Sequence, residues 1–199
     1  MLAYLFWHRP RDPAGAAAYE QAHVAFHRSL ARTPPVGMRG SAAFRLGEIP
    51  WLGGGEAAGG YEDWYLLADF TALGVLNEAA VGRGHRTSHD RIARRVGASA
   101  GGVYCRVEGE WHPVAHEPGA ASPATWVSRP SGASQRGLGD LLGDGMDPLS
   151  ASLWRRQLVL GPAPEFCLLA EEPSAGVAPE RLPVGWTART LQRELLFGG

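Results

Sequence analysis

The alternation of apolar and polar positions is clearest in Tyr61-Glu62-Asp63-Trp64-Tyr65-Leu66-Leu67-Ala68-Asp69-Phe70, which lies between Gly59-Gly60 and Thr71. An aromatic-rich run bounded by glycines and a helix-starting threonine predicts a strand. At a period of two, Trp64, Leu66, Ala68 and Phe70 share one face, and Asp63, Tyr65, Leu67 and Asp69 share the other. The first face is wholly apolar and must be covered. The second is mixed, and Tyr65 and Leu67 call for partial cover there too.

The same reading places a strand over Leu2 to His8, then a helix that starts at Asp12-Pro13 and runs to about Ala31. Its apolar stripe is Ala18, Tyr19, Ala22, Phe26 and Leu30, and Thr33-Pro34-Pro35 ends it. Met38 to Leu46 reads as a second strand, and Gly47 to Gly60 as a long glycine-rich loop. The central strand is followed by a helix from Thr71 to Val81, a short helix from Ser88 to Gly97 and a strand from Val103 to Glu108.

A second, looser pass follows the linker 109–122. It has a strand at Thr125 to Ser128, a short helix around Leu138 to Leu142, and a hairpin of Leu153 to Leu160 with Glu165 to Glu171 over Gly161-Pro162. Pro173 to Pro183 replaces a second helix, and Trp186 to Leu195 closes the chain as one strand. Phe166-Cys167-Leu168-Leu169-Ala170-Glu171 echoes Trp64-Tyr65-Leu66-Leu67-Ala68-Asp69 without a gap, which would pair Leu66 with Leu168. The order β-α-β-β-α-β, complete in residues 1–108 and abbreviated in 123–199, predicts an α+β protein of two ferredoxin-like halves packed sheet against sheet.

With that element order and the echoed strand, the chain resembles the dimeric α+β-barrel superfamily in tandem, fused form. That group includes antibiotic-biosynthesis-type monooxygenases, EthD-like and NIPSNAP-like proteins and relatives of chlorite dismutase. The resemblance implies a small-molecule pocket between the sheet and its helices or inside a barrel. Some members hold haem through a histidine of the second half. No histidine lies beyond His116, so that haem site is not expected.

Composition narrows the function classes. All 19 basic residues are arginine, which excludes a Schiff-base or phosphate-loop lysine. A net charge of −1 argues against a nucleic-acid-binding face. The apolar run Met1 to Trp7 is too short to span a bilayer and lacks the basic flank of a signal peptide. Cys105 and Cys167 fall in predicted strands and read as free thiols of a cytoplasmic protein. The expected partners are a small-molecule ligand and a second copy of the chain, with neither nucleic acid nor membrane among them.

His23 and His27, with Glu20 on the same helix flank, have metal-ligand spacing, but a solvated flank is the preferred reading; no metal and no cofactor are expected. His85 and His89, amid Arg83, Arg86, Arg91, Arg94 and Arg95, would suit an anionic group at a helix start. Gly97-Ala98-Ser99-Ala100-Gly101 has the letters of a hydrolase nucleophile elbow but the wrong context, a helix before and a strand after. The remaining constellation is His8, Arg45, Asp63 and Tyr65 around an apolar cavity, with Arg39 and Ser41 on the neighbouring strand and Trp51 as the tip of a lid. Such a set suits proton abstraction from an acidic aromatic or polyketide-like substrate, as in a cofactor-independent oxygenase or isomerase. A non-catalytic ligand-binding or assembly module is the alternative.

Overall fold

The start of the first helix shows how local chemistry shapes this chain. Asp12 accepts a hydrogen bond from the Ala14 amide at 3.0 Å and caps a 3₁₀ turn, Pro13–Gly15. That turn leads into α1 (Ala16–Arg32). In this computed structural model all residues are described except 54–58, 83, 111, 113–116, 135–148, 161–162 and 172–181, together with the side chains of 159 and 160. The buried stripe of α1 is Tyr19, Ala22, His23, Phe26, His27 and Leu30, whereas Ala18 is exposed. The two histidines expected on a solvated flank are therefore buried.

The first strands are β1 (Leu2–Pro10), β2 (Met38–Leu46) and β3 (Gly60–Leu67). Helix α2 (Phe70–Val81) begins at Asp69, whose carboxylate accepts from the Ala72 amide at 2.9 Å. Phe70 thus leaves the strand and stands exposed at the helix start. Helix α3 spans Arg86–Ala93, and β4 runs from Val96 to Gly109, several residues longer at its start than the sequence pattern indicates. Ser99 lies inside that strand and is exposed, so no strand-to-helix turn presents it.

The second part supplies β5 (Ala124–Ser128), β6 (Ala151–Leu160), β7 (Phe166–Ala170), β8 (Thr187–Leu191) and β9 (Arg193–Gly198). The helix expected at Leu138 to Leu142, the turn at Gly161-Pro162 and most of Pro173 to Pro183 lie outside the described residues.

All nine strands form one antiparallel sheet in the order β8-β5-β7-β6-β4-β1-β3-β2-β9, so the two halves share a sheet through the β4–β6 pair. At that junction Gly109 has φ +74°, and a Cβ there would stand 2.0 Å from the Ala151 carbonyl oxygen, so only glycine fits. The expected closing strand over Trp186 to Leu195 is broken at Gln192. Its first part pairs with β5 and its second with β2, at opposite ends of the strand order. One residue cannot bridge two distant edges, so the sheet must curl until they meet. Ser122 and Ala120 add backbone hydrogen bonds to Arg193 and Leu195, and Ala121 bridges to Glu194.

The curl encloses a core to which both halves contribute, with Trp7, Trp64, Trp126, Trp154, Cys167 and Leu169 among its members. Cys167 and Leu169 face inward, so strand alternation turns Leu168 outward, whereas Leu66 faces the core. The gapless echo is thus out of step by one residue, and a one-residue slip reverses every side chain. Inside this core Glu62 accepts hydrogen bonds from Trp7 Nε1 (2.8 Å), Trp64 Nε1 (2.6 Å) and Arg193 Nη1 (2.6 Å). Arg193 also donates to the Ser122 carbonyl (2.6 Å) and hydroxyl (2.9 Å), and its guanidinium lies 4.1 Å from the Phe44 ring centre.

The helices pack on the outer face of β4-β1-β3-β2 and enclose a second core that includes Phe26, Tyr65, Leu67, Leu76 and Ile92. On the outer face of the second half, Trp186 stacks on Phe166 and joins Val127 and Leu153. Cys105 and Cys167 are free thiols.

Candidate functional site

Strand alternation puts Asp63 on the helix-facing side of β3, between Tyr61 and Tyr65. Neighbouring β1 brings His8 alongside, since His8 pairs with Tyr61 and Phe6 with Asp63. From above, the four-residue spacing of Tyr19, His23 and His27 lays all three along the buried stripe of α1. The result is one buried carboxylate ringed by donors. His23 Nε2 is hydrogen-bonded to Asp63 Oδ1, His27 Nε2 is 3.3 Å from the same oxygen, and Oδ2 receives His8 Nε2 at 3.2 Å and the Tyr65 hydroxyl at 3.0 Å.

An ionised carboxylate only accepts, so His8 and His23 present Nε2–H to it. Each ring then has an Nδ1 lone pair to place. On His8 it faces the Tyr19 hydroxyl, and on His27 the Ser41 hydroxyl at 2.9 Å. The Nδ1 of His23 is buried and, among the described residues, has no hydrogen-bond partner. Tyr65 stacks on His27 with ring centres 5.1 Å apart.

Burial alone would raise the Asp63 carboxyl, but His23, His8 and His27 overcome it and hold it well below the usual carboxylate range. Burial lowers His8 and His27 in spite of Asp63, so both rest as neutral imidazoles near neutral pH. Burial, reinforced by the Asp63 charge, keeps Tyr65 protonated far above its ordinary range.

His8, His23, Asp63 and Tyr65 form a polar patch in the wall of a cavity of about 700 Å³ between the sheet and the helices. Tyr4, Phe6, Phe26, Leu73, Leu76 and Val103 supply much of its apolar lining. Its size suits a drug-sized or polycyclic ligand.

No family model matches the chain, and no curated protein matches it. Three solved structures share its fold. An anthrone oxidase-like protein superposes with a TM-score of 0.56 at 10% identity, over 98% of this chain and 91% of its own. A "putative monooxygenase" from Fusobacterium nucleatum subsp. nucleatum gives 0.62 at 8% identity, over 98% and 92%. A "putative monooxygenase" from Lactobacillus acidophilus gives 0.56 at 9% identity, over 100% and 96%. At such identities the likeness is one of fold.

Within this shared fold, the structure brings together His8, Asp63 and Tyr65 from the sequence-derived constellation, together with Ser41. Arg45 stands elsewhere, with its side chain on the exposed surface, donating to Glu20 at 3.2 Å and Glu194 at 2.6 Å. The pairing with β9 draws it there, because Arg45 lies opposite Glu194. Arg39 is exposed. Trp51 is not a lid over this cavity. It packs edge-on against Trp7 and Trp126, at 5.2 and 5.3 Å, on the inner side of the sheet. Loop residues 54–58 lie outside the described ones.

His85 is a fastener rather than a cavity residue, bonded to Ser29 Oγ (3.1 Å) and the Thr33 carbonyl (3.0 Å). His89 does line the cavity, packed against Phe26. Glu20, grouped with His23 and His27 in the sequence, turns to Arg45 and Tyr61 instead. The residues that the sequence reading left out of the site are His23, His27 and Tyr19. Their common i, i+4, i+8 spacing was the available signal.

Proposed function

We propose that the protein is a cofactor-independent oxygenase acting on a planar aromatic carbon acid of the anthrone or hydroxylated polycyclic kind. The observation that carries this is His23: a cavity-lining imidazole backed at Nε2 by a buried carboxylate, with an Nδ1 that has no partner among the described residues. A carboxylate behind an imidazole fixes its tautomer and stabilises the imidazolium that forms when the other nitrogen takes a proton. His23 would remove a carbon-bound proton from a substrate held by the apolar wall. The electron-rich enolate left behind reacts with dioxygen, one oxygen atom becoming the new carbonyl oxygen and the other leaving as water. His8 and Tyr65 keep Asp63 anionic by hydrogen bonding to it, and the names of the structural neighbours, an anthrone oxidase-like protein and two of the "putative monooxygenase" kind, support an oxygenase-like reading.

The repeated strand order, β4-β1-β3-β2 and β8-β5-β7-β6, supports the further reading that the chain arose by duplication of a ferredoxin-like unit, with β9 added. In this reading, among the described residues, the helix-covered cavity belongs to the first copy.

The test separates proton removal from oxidation. Anthrone incubated with the protein in D₂O without oxygen should exchange its acidic C–H, and admitting air should convert it to the quinone. His23→Gln should slow both by about 10²–10⁴-fold. Saturable binding of anthrone with no exchange above background would favour the binding-module reading.

A further inference from the structure

We propose that His8, His23 and Asp63 form a binding site for one divalent transition-metal ion of the zinc or cobalt class. Two imidazole nitrogens and one carboxylate converge from β1, α1 and β3, a nitrogen-rich set with an oxygen that suits such ions. Zinc–ligand bonds of 2.0–2.2 Å in a tetrahedron put neighbouring donor atoms roughly 3.3 Å apart. His8 Nε2 already lies 3.2 Å from Asp63 Oδ2. Donor atoms of His8, His23 and Asp63 all fall within 4.8 Å of one another.

Charge points the same way. Among the described residues no guanidinium reaches Asp63; its ion-pair partners are the three histidines. Glu62, its neighbour in sequence, has the permanent cation Arg193. A divalent ion would compensate the buried Asp63 charge as Arg193 compensates that of Glu62.

Proton accounting also permits it. A neutral imidazole can move its proton from Nε2 to Nδ1, freeing the Nε2 lone pair with no net proton lost. The group facing Nδ1 of His8 is the Tyr19 hydroxyl, and a hydroxyl both donates and accepts. This partner therefore serves either tautomer, and such outer contacts orient metal-bound imidazoles. On His23 the shift protonates Nδ1, the atom assigned above as the base. If that assignment holds, a bound ion silences the reaction.

The probe is Co²⁺, added to chelator-treated full-length protein, with visible absorption reporting the ligand field and elemental analysis after gel filtration giving stoichiometry. One Co²⁺ per chain is expected, displaced by Zn²⁺. His23→Gln should weaken binding at least ~10-fold, and Glu20→Gln should leave it unchanged. His8→Gln serves in the same role if circular dichroism shows the first variant unfolded. Folded wild-type protein that retains no Co²⁺, or an affinity unchanged in both histidine variants, would overturn the site. Stoichiometric Zn²⁺ that leaves anthrone exchange intact would support the metal site and sink the base assignment. Exchange without any metal binding would do the reverse.

Discussion

Glu62 and Asp63 are consecutive carboxylates on one strand, both buried, and alternation sends them to opposite sides of the sheet. Glu62 points into the core enclosed by the curl and meets two indole N–H groups and a guanidinium. Asp63 points toward the helices and meets three imidazoles and a phenol beside a cavity. The partners of Glu62 keep their protons throughout the biological pH range, whereas imidazoles can lose or gain theirs. The same burial thus yields a fixed structural joint on one face and a group of exchangeable protons on the other. What a buried carboxylate does depends on the titratability of its partners.

The largest expected effect comes from breaking the fixed joint. Glu62→Gln leaves Arg193 buried without a counter-charge and should cost about 3–5 kcal/mol, lowering the unfolding midpoint by on the order of 10 °C. Adding Arg193→Met should recover much of that loss, because no unpaired charge is then left in the core. Calorimetry of the single and double variants checks this. A loss below about 1 kcal/mol for Glu62→Gln, against the 3–5 expected of a broken buried pair, would erase the contrast.

An intermediate effect is a pH dependence belonging to the Asp63 side alone. His8 and His27 sit below their ordinary value when folded, so the unfolded chain takes up protons first as pH falls. Their contribution is present above pH ~6.5 and is lost progressively below it. The depressed Asp63 carboxyl adds a further loss below pH ~3.9. Urea midpoints should therefore decline between pH 7.5 and 5.5, by about 1–3 kcal/mol in unfolding free energy. The decline should be shallower in His8→Gln and His27→Gln. Equal slopes in all three proteins would place the acid sensitivity elsewhere.

The smallest effects belong to residues that sequence proximity suggested and the fold separates from the site. Arg45→Ala removes exposed ion pairs and should change stability by no more than about 1 kcal/mol. Neither this variant nor Trp51→Phe should alter anthrone affinity in a fluorescence titration. A tenfold loss in either would return that residue to the cavity.

Much of the fold was legible because it rests on period-two and period-3.6 patterns. Met38–Leu46 is reproduced to the residue, and Asp12-Pro13 does start helical structure. The break at Gln192 was not legible: Thr187–Leu191 and Arg193–Gly198 are each plausible strand, and only their distant partners send them to different edges. Likewise the echo between the halves is a match of composition, and register is set by which face is buried. In the site, His8, Asp63 and Tyr65 were readable because strand alternation places them on one face. His23 and His27 looked like a polar helix flank, since nothing in α1 itself shows that a carboxylate on β3 lies beneath them. Arg45 was misplaced for the same reason: its partner, Glu194, is 149 residues away in sequence.

The joint at Glu62 also sets a timetable. Its counter-charge, Arg193, is 131 residues further along the chain, on β9, the last of the described strands to be made. At ribosomal speeds of about 5–20 residues per second, Glu62 waits on the order of ten seconds or more for its partner. Until then its side of β3 cannot be closed over without trapping a lone charge. The α1–β3 layer around Asp63 draws almost all its residues from the first hundred or so and can largely assemble while synthesis continues, with Leu158 of the cavity wall and Phe197 beside His27 arriving later. The nascent protein is therefore expected to form most of its cavity before its sheet closes into a curl, with the open inner face as the stage most exposed to misassociation.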